Sequence, residues 1–418
     1  MSNDLSLGLD FGTSGARACV IDQNGRVVAR AHALYDIHDW MSWLKALAWL
    51  VADVPKNVRH RLGAIAVAGT SGTVLLTDAT NRPLTPPLLY DDARARAEAE
   101  RIRAVAPPGH IAAMPTSALA KVLWLRAQPG TSRARYCTDQ ASWIAAMLTG
   151  RPGLSDYHNA LKLGFDVENL SWPEWVRSLH IASLLPRVVE PGVSLGMVPL
   201  EVAVKLDIPD DCLVRAGTTD SIAAFMAAGA AEIGDGVTSL GSTLAIKLLS
   251  ARPVQDAGSG VYSHRYGSRW LAGGASNSGG AVLRQFFDDR QLAELSRRID
   301  PAIASGLDYY PLPAPGERFP INDPTLAPRL SPRPEDDVRF LHGLLEGIAR
   351  IEAQGYRRLV ELGASVPKRV FTTGGGAKNP VWTAIRARLL GVPVVPARHT
   401  EAAYGAARLA QQGTRLLS

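Results

Sequence analysis

The sequence predicts an α/β fold in two domains, and three observations carry that reading. Short apolar runs with the two-residue period of a pleated strand end in Gly/Ser/Thr turns. Stretches rich in Ala, Leu and Arg, suited to helices, alternate with them. One strand–turn–strand pattern occurs twice. At 418 residues the chain exceeds a single typical core, so two domains of about 200 residues are the natural partition.

The first strand follows from Leu5, Leu7 and Leu9 alternating with Ser6 and Gly8. Asp10 leads into a turn at Phe11-Gly12-Thr13-Ser14-Gly15. A second apolar run covers 16–21, Asp22-Gln23-Asn24-Gly25 turns the chain again, and 26–31 closes a three-stranded meander. Residues 43–54 read as a helix, 62–68 as a buried strand ending at Gly69, and 91–106, rich in Ala, Arg and Glu, as a helix. Residues 122–126 and 141–148 belong to further helices. The pattern then restarts: a strand at 236–240, a turn at Gly241-Ser242-Thr243 and a strand at 244–249 repeat the arrangement of 5–21. A second echo pairs the apolar run 65–72 with 369–376. Two related halves around one cleft are therefore expected, as domains 1–212 and 213–418. Eight prolines lie within 311–334, with Tyr309 and Tyr310 beside them and Phe319 and Ile321 among them. This predicts an extended segment anchored on the second domain.

Apolar residues at 46% and charged residues at 20% place the chain among ordinary globular proteins. No apolar run approaches the roughly 20 residues that span a bilayer, and the N-terminus lacks a basic patch followed by an apolar stretch. Cys19, Cys137 and Cys212 are isolated in sequence, which argues against a disulfide framework or zinc site and for a reducing, cytoplasmic compartment. The net charge is +6, but only eight of the cations are Lys, no five like charges run together, and acids are interleaved throughout. That dispersal disfavours nucleic acid as a partner, and membrane partners are not expected.

Four segments have the composition of a phosphoryl-transfer site. In Asp10-Phe11-Gly12-Thr13-Ser14-Gly15 the glycines let backbone N–H groups approach phosphate oxygens, and a strand-end carboxylate could manage Mg²⁺. A tight hairpin with Asp10 capping the turn explains the same residues. In Gly217-Thr218-Thr219-Asp220-Ser221, Asp220 stands where a helix over 221–231 opens. It could be an N-cap, or the base that accepts a hydroxyl proton. Thr238-Ser239-Leu240-Gly241-Ser242-Thr243 repeats the donor-rich turn and suits β- or γ-phosphates, or is an ordinary hairpin. Gly374, Gly375 and Gly376, followed by Asn379 and Trp382, leave room for a flat ligand or for close helix packing. A Gly-x4-Gly-Lys-Ser/Thr loop, a His-Arg-Asp kinase motif and a dinucleotide Gly-x-Gly-x-x-Gly are all absent.

Taken together and in this order, the segments resemble the FGGY family of carbohydrate kinases, within the superfamily of actin, hexokinase and the heat-shock chaperone ATPases. Glu401-Ala402-Ala403-Tyr404-Gly405-Ala406-Ala407, Gly316-Glu317-Arg318-Phe319-Pro320 and Asp323-Pro324 add to the resemblance. It implies two actin-like (ribonuclease H-like) domains with an interdomain cleft, the first for the sugar and the second for the nucleotide, with ATP and Mg²⁺ as cofactors. It also implies roles for residues: Asp220 as base, Asp10 organising Mg²⁺ and touching the sugar, and Thr13, Gly241, Ser242 and Thr243 on phosphates. Gly375, Gly376, Asn379 and Trp382 would line the nucleotide pocket.

For the sugar, the resemblance gives less. Xylulose kinases of the family carry Gln-Met-His-Gly where this chain has Gly69-Thr70-Ser71-Gly72, and glycerol kinases an Asn-Gln-Arg-Glu type of segment. Tyr90-Asp91-Asp92-Ala93-Arg94 resembles the family's Trp-x-Asp-x-Arg stretch, and the segment from Ser155 to Lys162 resembles another on the substrate side. The short chain resembles compact cyanobacterial and plant kinases linked to D-ribulose. D-ribulose is therefore expected first, D-xylulose second and other polyols third, with Ser14, Gly15, Ser71 and Asp92 joining Asp10 and Asp220 as sugar contacts. A non-catalytic ATP-dependent switch is the competing class, and the presence of Asp220 argues against it.

Overall fold

Leu7, Leu9 and Phe11 are fully buried on one face of the first strand, β1 (Leu5–Gly12), while Ser6, Gly8 and Asp10 alternate onto the other. That alternation sets up everything around it. In the computed structural model, which describes residues 3–418, β1 is central to a six-stranded sheet with β2 (Gly15–Ile21), β3 (Val27–Ala33), β4 (Leu62–Gly69), β9 (Ser194–Met197) and β10 (Leu213–Thr219). The order is β3-β2-β1-β4-β10-β9. The meander β1–β3 is antiparallel, and β4 runs parallel to both β1 and β10. Helices Trp40–Asp53 and Gln140–Thr149 cover the Leu7/Leu9/Phe11 face, with Trp43, Leu50, Trp143 and Ile144 in one core with it. Helices Asp220–Ala228 and Ala402–Gln412 cover the other face, where Ala68, Ala223 and Ala406 meet. The approach there is close: a Cβ on Gly8 would lie 2.0 Å from the Ala403 carbonyl oxygen, so only glycine admits that helix.

Two two-stranded ladders complete this unit: β5 (Val74–Thr77) with β6 (Tyr136–Asp139), and β7 (Leu154–Asp156) with β8 (Arg187–Val189). Helices Arg96–Arg103 and Ala118–Arg126 pack on β5–β6 around a separate core that includes Val74, Leu76, Ile102, Leu119 and Val122.

The sheet of the second unit runs β13-β14-β12-β11-β15-β16, from β11 (Asp235–Leu240), β12 (Leu244–Ser250), β13 (Tyr262–Tyr266), β14 (Arg269–Ser276), β15 (Arg369–Thr373) and β16 (Val394–Pro396). It repeats five strands of the first, with β14-β12-β11-β15-β16 in the places of β3-β2-β1-β4-β10. The hairpin β11–β12 is antiparallel, and β11, β15 and β16 are parallel. Both echoes noticed in the sequence therefore fall on matching strands, β1–β2 with β11–β12 and β4 with β15. Helices Asp337–Glu361 and Pro380–Leu390 pack on this sheet through Leu344, Leu345, Ile348 and Ile385. The α/β prediction is borne out in both units.

The units themselves are Met1–Ala227 with Glu401–Ser418, and Ala228–Thr400. This differs from a division at 212/213. The reason is pairing: β10 lies against β4 in the first sheet, which carries Thr219 and Asp220 with it, and the last helix returns to β1. The helix predicted over 91–106 is confined to Arg96–Arg103, because the Asp92 carboxylate accepts the Arg94 N–H at 3.1 Å and holds a turn there. The helix after Asp220 stops at Ala228, ahead of the predicted 231, where Gly229 takes φ +93°. In the proline-rich segment, Tyr309 and Phe319 are buried anchors, whereas Ile321 is 36% exposed. Among the described residues no helix is long and apolar enough to cross a membrane.

Candidate active site

Period two on β1 puts Asp10 on the same face as Gly8, toward the two helices that begin at Asp220 and Ala402. Asp10 is 5% exposed, and its Oδ1 has no hydrogen-bond partner. Burial first, and then the charge of Asp220, push its pKa up to about 7. Arg17 pulls it down, and Glu401 adds a further rise. Arg17 is the cross-strand neighbour of Asp10 in the β1–β2 hairpin, with Nη1 3.7 Å from Asp10 Oδ2 and Nη2 donating to Ser14 Oγ at 3.2 Å. One guanidinium thus spans Asp10 and the turn. Thr13 and Ser14 are exposed at the turn's tip. Gly15 is buried at φ +136°, and a Cβ there would sit 2.8 Å from His32 Nε2. Its identity is set by packing on β3.

Asp220 is the first residue of its helix and half-buried, and its Oδ1 accepts the Ser221 N–H at 2.6 Å. A carboxylate there is favoured by the helix N-terminus. Two carboxylates that feel each other, one of them with a buried and unpartnered oxygen, fit a divalent cation. Among the described residues no group of three or more His, Cys, Asp or Glu could hold a metal. A pair of carboxylates is a donor set that suits Mg²⁺, which commonly takes one or two carboxylates and fills its shell with water and phosphate.

A chain of hydrogen bonds runs from this hairpin to the loop after β4. Tyr35 OH donates to Gly12 O at 2.8 Å, Gln140 Nε2 donates to Tyr35 OH at 3.4 Å, and Gln140 Oε1 accepts from Thr70 N at 3.0 Å. Ser71, next in line, is half-buried. Asp92 is held by Arg94, whose Nε lies 2.9 Å from both carboxylate oxygens. Its carboxylate consequently stays well ionised despite partial burial.

In the second unit, Gly241, Ser242 and Thr243 form the β11–β12 turn, with Ser242 and Thr243 exposed. Gly241 O and Ser242 O accept the N–H groups of Gly280 and Ala281, and Arg284 Nη2 donates to Ser242 Oγ at 2.9 Å. A cation thus stands at the donor-rich turn. Gly374 at φ +82° crosses Leu240 so closely that a Cβ would lie 2.5 Å from its carbonyl oxygen, whereas Gly375 faces open space. Behind both turns lies a buried polar network. Arg386 Nε and Nη2 donate to Glu352 at 2.6 and 2.7 Å, and Nη1 donates to Thr372 Oγ1 at 2.6 Å. Thr238 Oγ1 donates to Glu352 Oε1 at 2.6 Å, and both ions are fully buried.

Two residues read from the sequence as nucleotide contacts are committed elsewhere. Trp382 is 2% exposed, donates Nε1–H to Leu345 O at 3.0 Å, and lies under Gly376, where a Cβ would meet its ring at 2.6 Å. It supports the glycine turn from within the core. Asn379 caps helix Pro380–Leu390 by accepting the Trp382 N–H, and its Nδ2 donates to Ser296 Oγ. Sequence reasoning passed over Arg17, Gln140, Tyr35 and Arg284. Arg17 was findable: a two-residue turn after Gly12 forces it opposite Asp10. The other three depend on tertiary contacts that no local pattern encodes.

Family models for the N-terminal and C-terminal domains of the FGGY family of carbohydrate kinases match residues 5–227 and 236–412. Gluconokinase of Bacillus subtilis is 23% identical over 98% of this chain and 87% of its own length. L-fuculokinase of Salmonella typhi is 26% identical over 94% and 89%. Among solved structures, a xylulose kinase from Rhodospirillum rubrum superposes with a TM-score of 0.84 at 24% identity, covering 97% of this chain and 89% of that one.

Proposed function

The chain belongs to the FGGY family of carbohydrate kinases, and from that premise we propose that it transfers the terminal phosphoryl group of ATP to a hydroxyl of D-ribulose. The observation that carries the reading is the pair Asp10 and Asp220 on one face of the first sheet. The charge of Asp220 raises the Asp10 pKa, and Arg17 comes no nearer to Asp10 than 3.7 Å.

In this reading Asp220 accepts the proton of the attacking hydroxyl as its oxygen bonds to the γ-phosphorus and the bridging bond to ADP breaks. Asp10, whose Oδ1 has no partner, would hold Mg²⁺. That ion supplies charge neutralisation to the phosphates. Arg17 offsets part of the rise in the Asp10 pKa and donates to Ser14 in the adjoining turn. In the second unit, Gly241, Ser242 and Thr243 with Arg284 hold the nucleotide's phosphates, and Gly375 leaves room for its base. Ser71 and Asp92 bind sugar hydroxyls.

D-ribulose is supported by Gly69-Thr70-Ser71-Gly72, which departs from the segments that xylulose and glycerol kinases carry there. D-xylulose is the second reading, favoured by relatives named xylulose kinase at 22–24% identity. A coupled ADP-release assay across D-ribulose, L-ribulose, D-xylulose, ribitol, glycerol, D-gluconate and L-fuculose tests both. D-ribulose should give the highest kcat/KM. A higher value for another sugar reassigns the substrate, and a flat background for all favours an ATP-dependent switch.

A further inference from the structure

We propose that Lys121 is a positioning residue that fixes the spacing of the two loops carrying Ser71 and Asp92, and through them the affinity for the sugar. The inference rests on the reading that these loops meet the sugar.

Lys121 lies on helix Ala118–Arg126 among Leu119, Ala120, Val122 and Leu123, and like most of them it is fully buried. A Met or Leu would fill that place without desolvating an ammonium. What an apolar residue could not do is donate. Lys121 Nζ donates to Gly72 O at 2.7 Å and to Leu89 O at 2.5 Å. Each acceptor is one step from a proposed sugar contact. Gly72 follows Ser71 in a turn closed by Thr73 N–H on Thr70 O at 3.3 Å, and Leu89 O also accepts the Asp92 N–H at 3.1 Å.

The place of these carbonyls in the fold gives the lysine its purpose. On the side of these two loops, the backbone pairing of the segments ends at Val74 and Leu88, which exchange N–H···O bonds of 3.0 and 2.9 Å. Past that bridge the backbones part, and Gly72 and Leu89 are the first carbonyls beyond it on either side that the ammonium joins. One turn along the same helix, the Trp124 ring lies 5.1 Å beneath the Arg94 guanidinium that grips Asp92. The helix thus meets the second loop at two points.

The groups around the ammonium are Lys162, whose Cδ reaches within 3.3 Å of a Cβ placed on Gly72, and the carboxylates Asp92 and Asp91. Burial and Lys162 bring the Lys121 pKa down to about 7, against the pull of the two acids. A neutral amine still has two N–H groups, enough for both carbonyls, so the link persists on either side of that pH.

The test is Lys121→Met, read by steady-state kinetics and by amide hydrogen exchange. The sugar KM should rise by about tenfold or more, with kcat and the nucleotide KM held within about twofold. Exchange at the Thr73 and Asp92 amides should speed up by about tenfold while helix Ala118–Arg126 keeps its protection. Unchanged exchange at those two amides overturns the proposal, whether or not a sugar substrate has been found. So does an unchanged sugar KM, or exchange that accelerates equally throughout the first unit. Failure of the wild type on every sugar would instead remove the substrate reading and leave exchange to decide the lysine. Should the Met variant not fold, Lys121→Gln, a donor too short to reach both carbonyls, is measured in the same way, and the same results support or overturn the proposal.

Discussion

Asp10 and Thr238 occupy matching places. Each lies on the first strand of its unit's hairpin, at the last but one pair with the parallel neighbour, Asp10 opposite Ala68 and Thr238 opposite Thr372. Both are buried. Thr238 is satisfied completely: Glu352 accepts its hydroxyl hydrogen, Tyr356 OH lies 3.0 Å away, and Arg386 neutralises the acid. Asp10 has an orphaned oxygen, a like charge acting on it, and Arg17 no nearer than 3.7 Å. One fold, used twice, therefore supports a frame in one unit and an unmet charge in the other. Unmet buried polarity is costly, and a ligand that completes it recovers the cost. The carbohydrate kinase should thus respond to substitution in opposite ways on its two sides.

The sharpest way to break this contrast is Asp220→Ala. Phosphorylation should fall by about 10²–10⁴-fold, with nucleotide affinity and thermal midpoint nearly unchanged. Full turnover by that variant would remove Asp220 from the chemistry. Glu352→Ala probes the other side. It leaves Arg386 buried without its partner, so denaturant melts should show a loss of about 3–5 kcal/mol, while the folded fraction keeps its kcat.

Asp10→Asn should show the inverse of Glu352→Ala. Folded Asp10 holds its proton more tightly than an unfolded carboxyl, since its pKa stands near 7 against 3.8. Wild-type stability is therefore lost as pH climbs from about 4 to about 7. The Asn variant should match the wild type near pH 4 and exceed it by roughly 2–4 kcal/mol at pH 8, at 1.36 kcal/mol per pH unit. Paired urea melts at the two pH values measure this, and its Mg²⁺-dependent rate should drop at least about tenfold. A variant less stable than wild type at pH 8 would contradict the unmet charge. The smallest effect belongs to Thr238→Val, which removes one satisfied hydroxyl at about 1 kcal/mol and should leave the rate within about twofold.

The same contrast explains what could be read from the amino acids. The hairpins were legible because Leu5, Leu7 and Leu9 alternate and Gly12, Gly15 and Gly241 mark the turns. Asp10 and Asp220 stood out as charges at the ends of apolar strands. Trp382 misled because an aromatic beside three glycines looks like a ligand face, yet its burial depends on Leu345, 37 residues away along another helix. The Glu352–Arg386 pair was invisible for the same reason: its members sit on two helices, and only the folded sheet brings Thr238 and Thr372 to them. The helix misplaced over 91–95 shows a local effect that was available, an Asp side chain competing for the backbone two residues on.

Helix Ala402–Gln412 lies against β1 with Gly8 beneath Ala403 and Ala407. This strand is therefore finished by a helix that emerges only after the whole second unit has been made. Throughout synthesis of the intervening 173 residues of the second unit, the face of the sheet that bears Asp10 has only helix Asp220–Ala228 of its two covering helices. A chain that stops short of that helix leaves the strand backbone at Gly8 without the close cover its missing side chain makes room for.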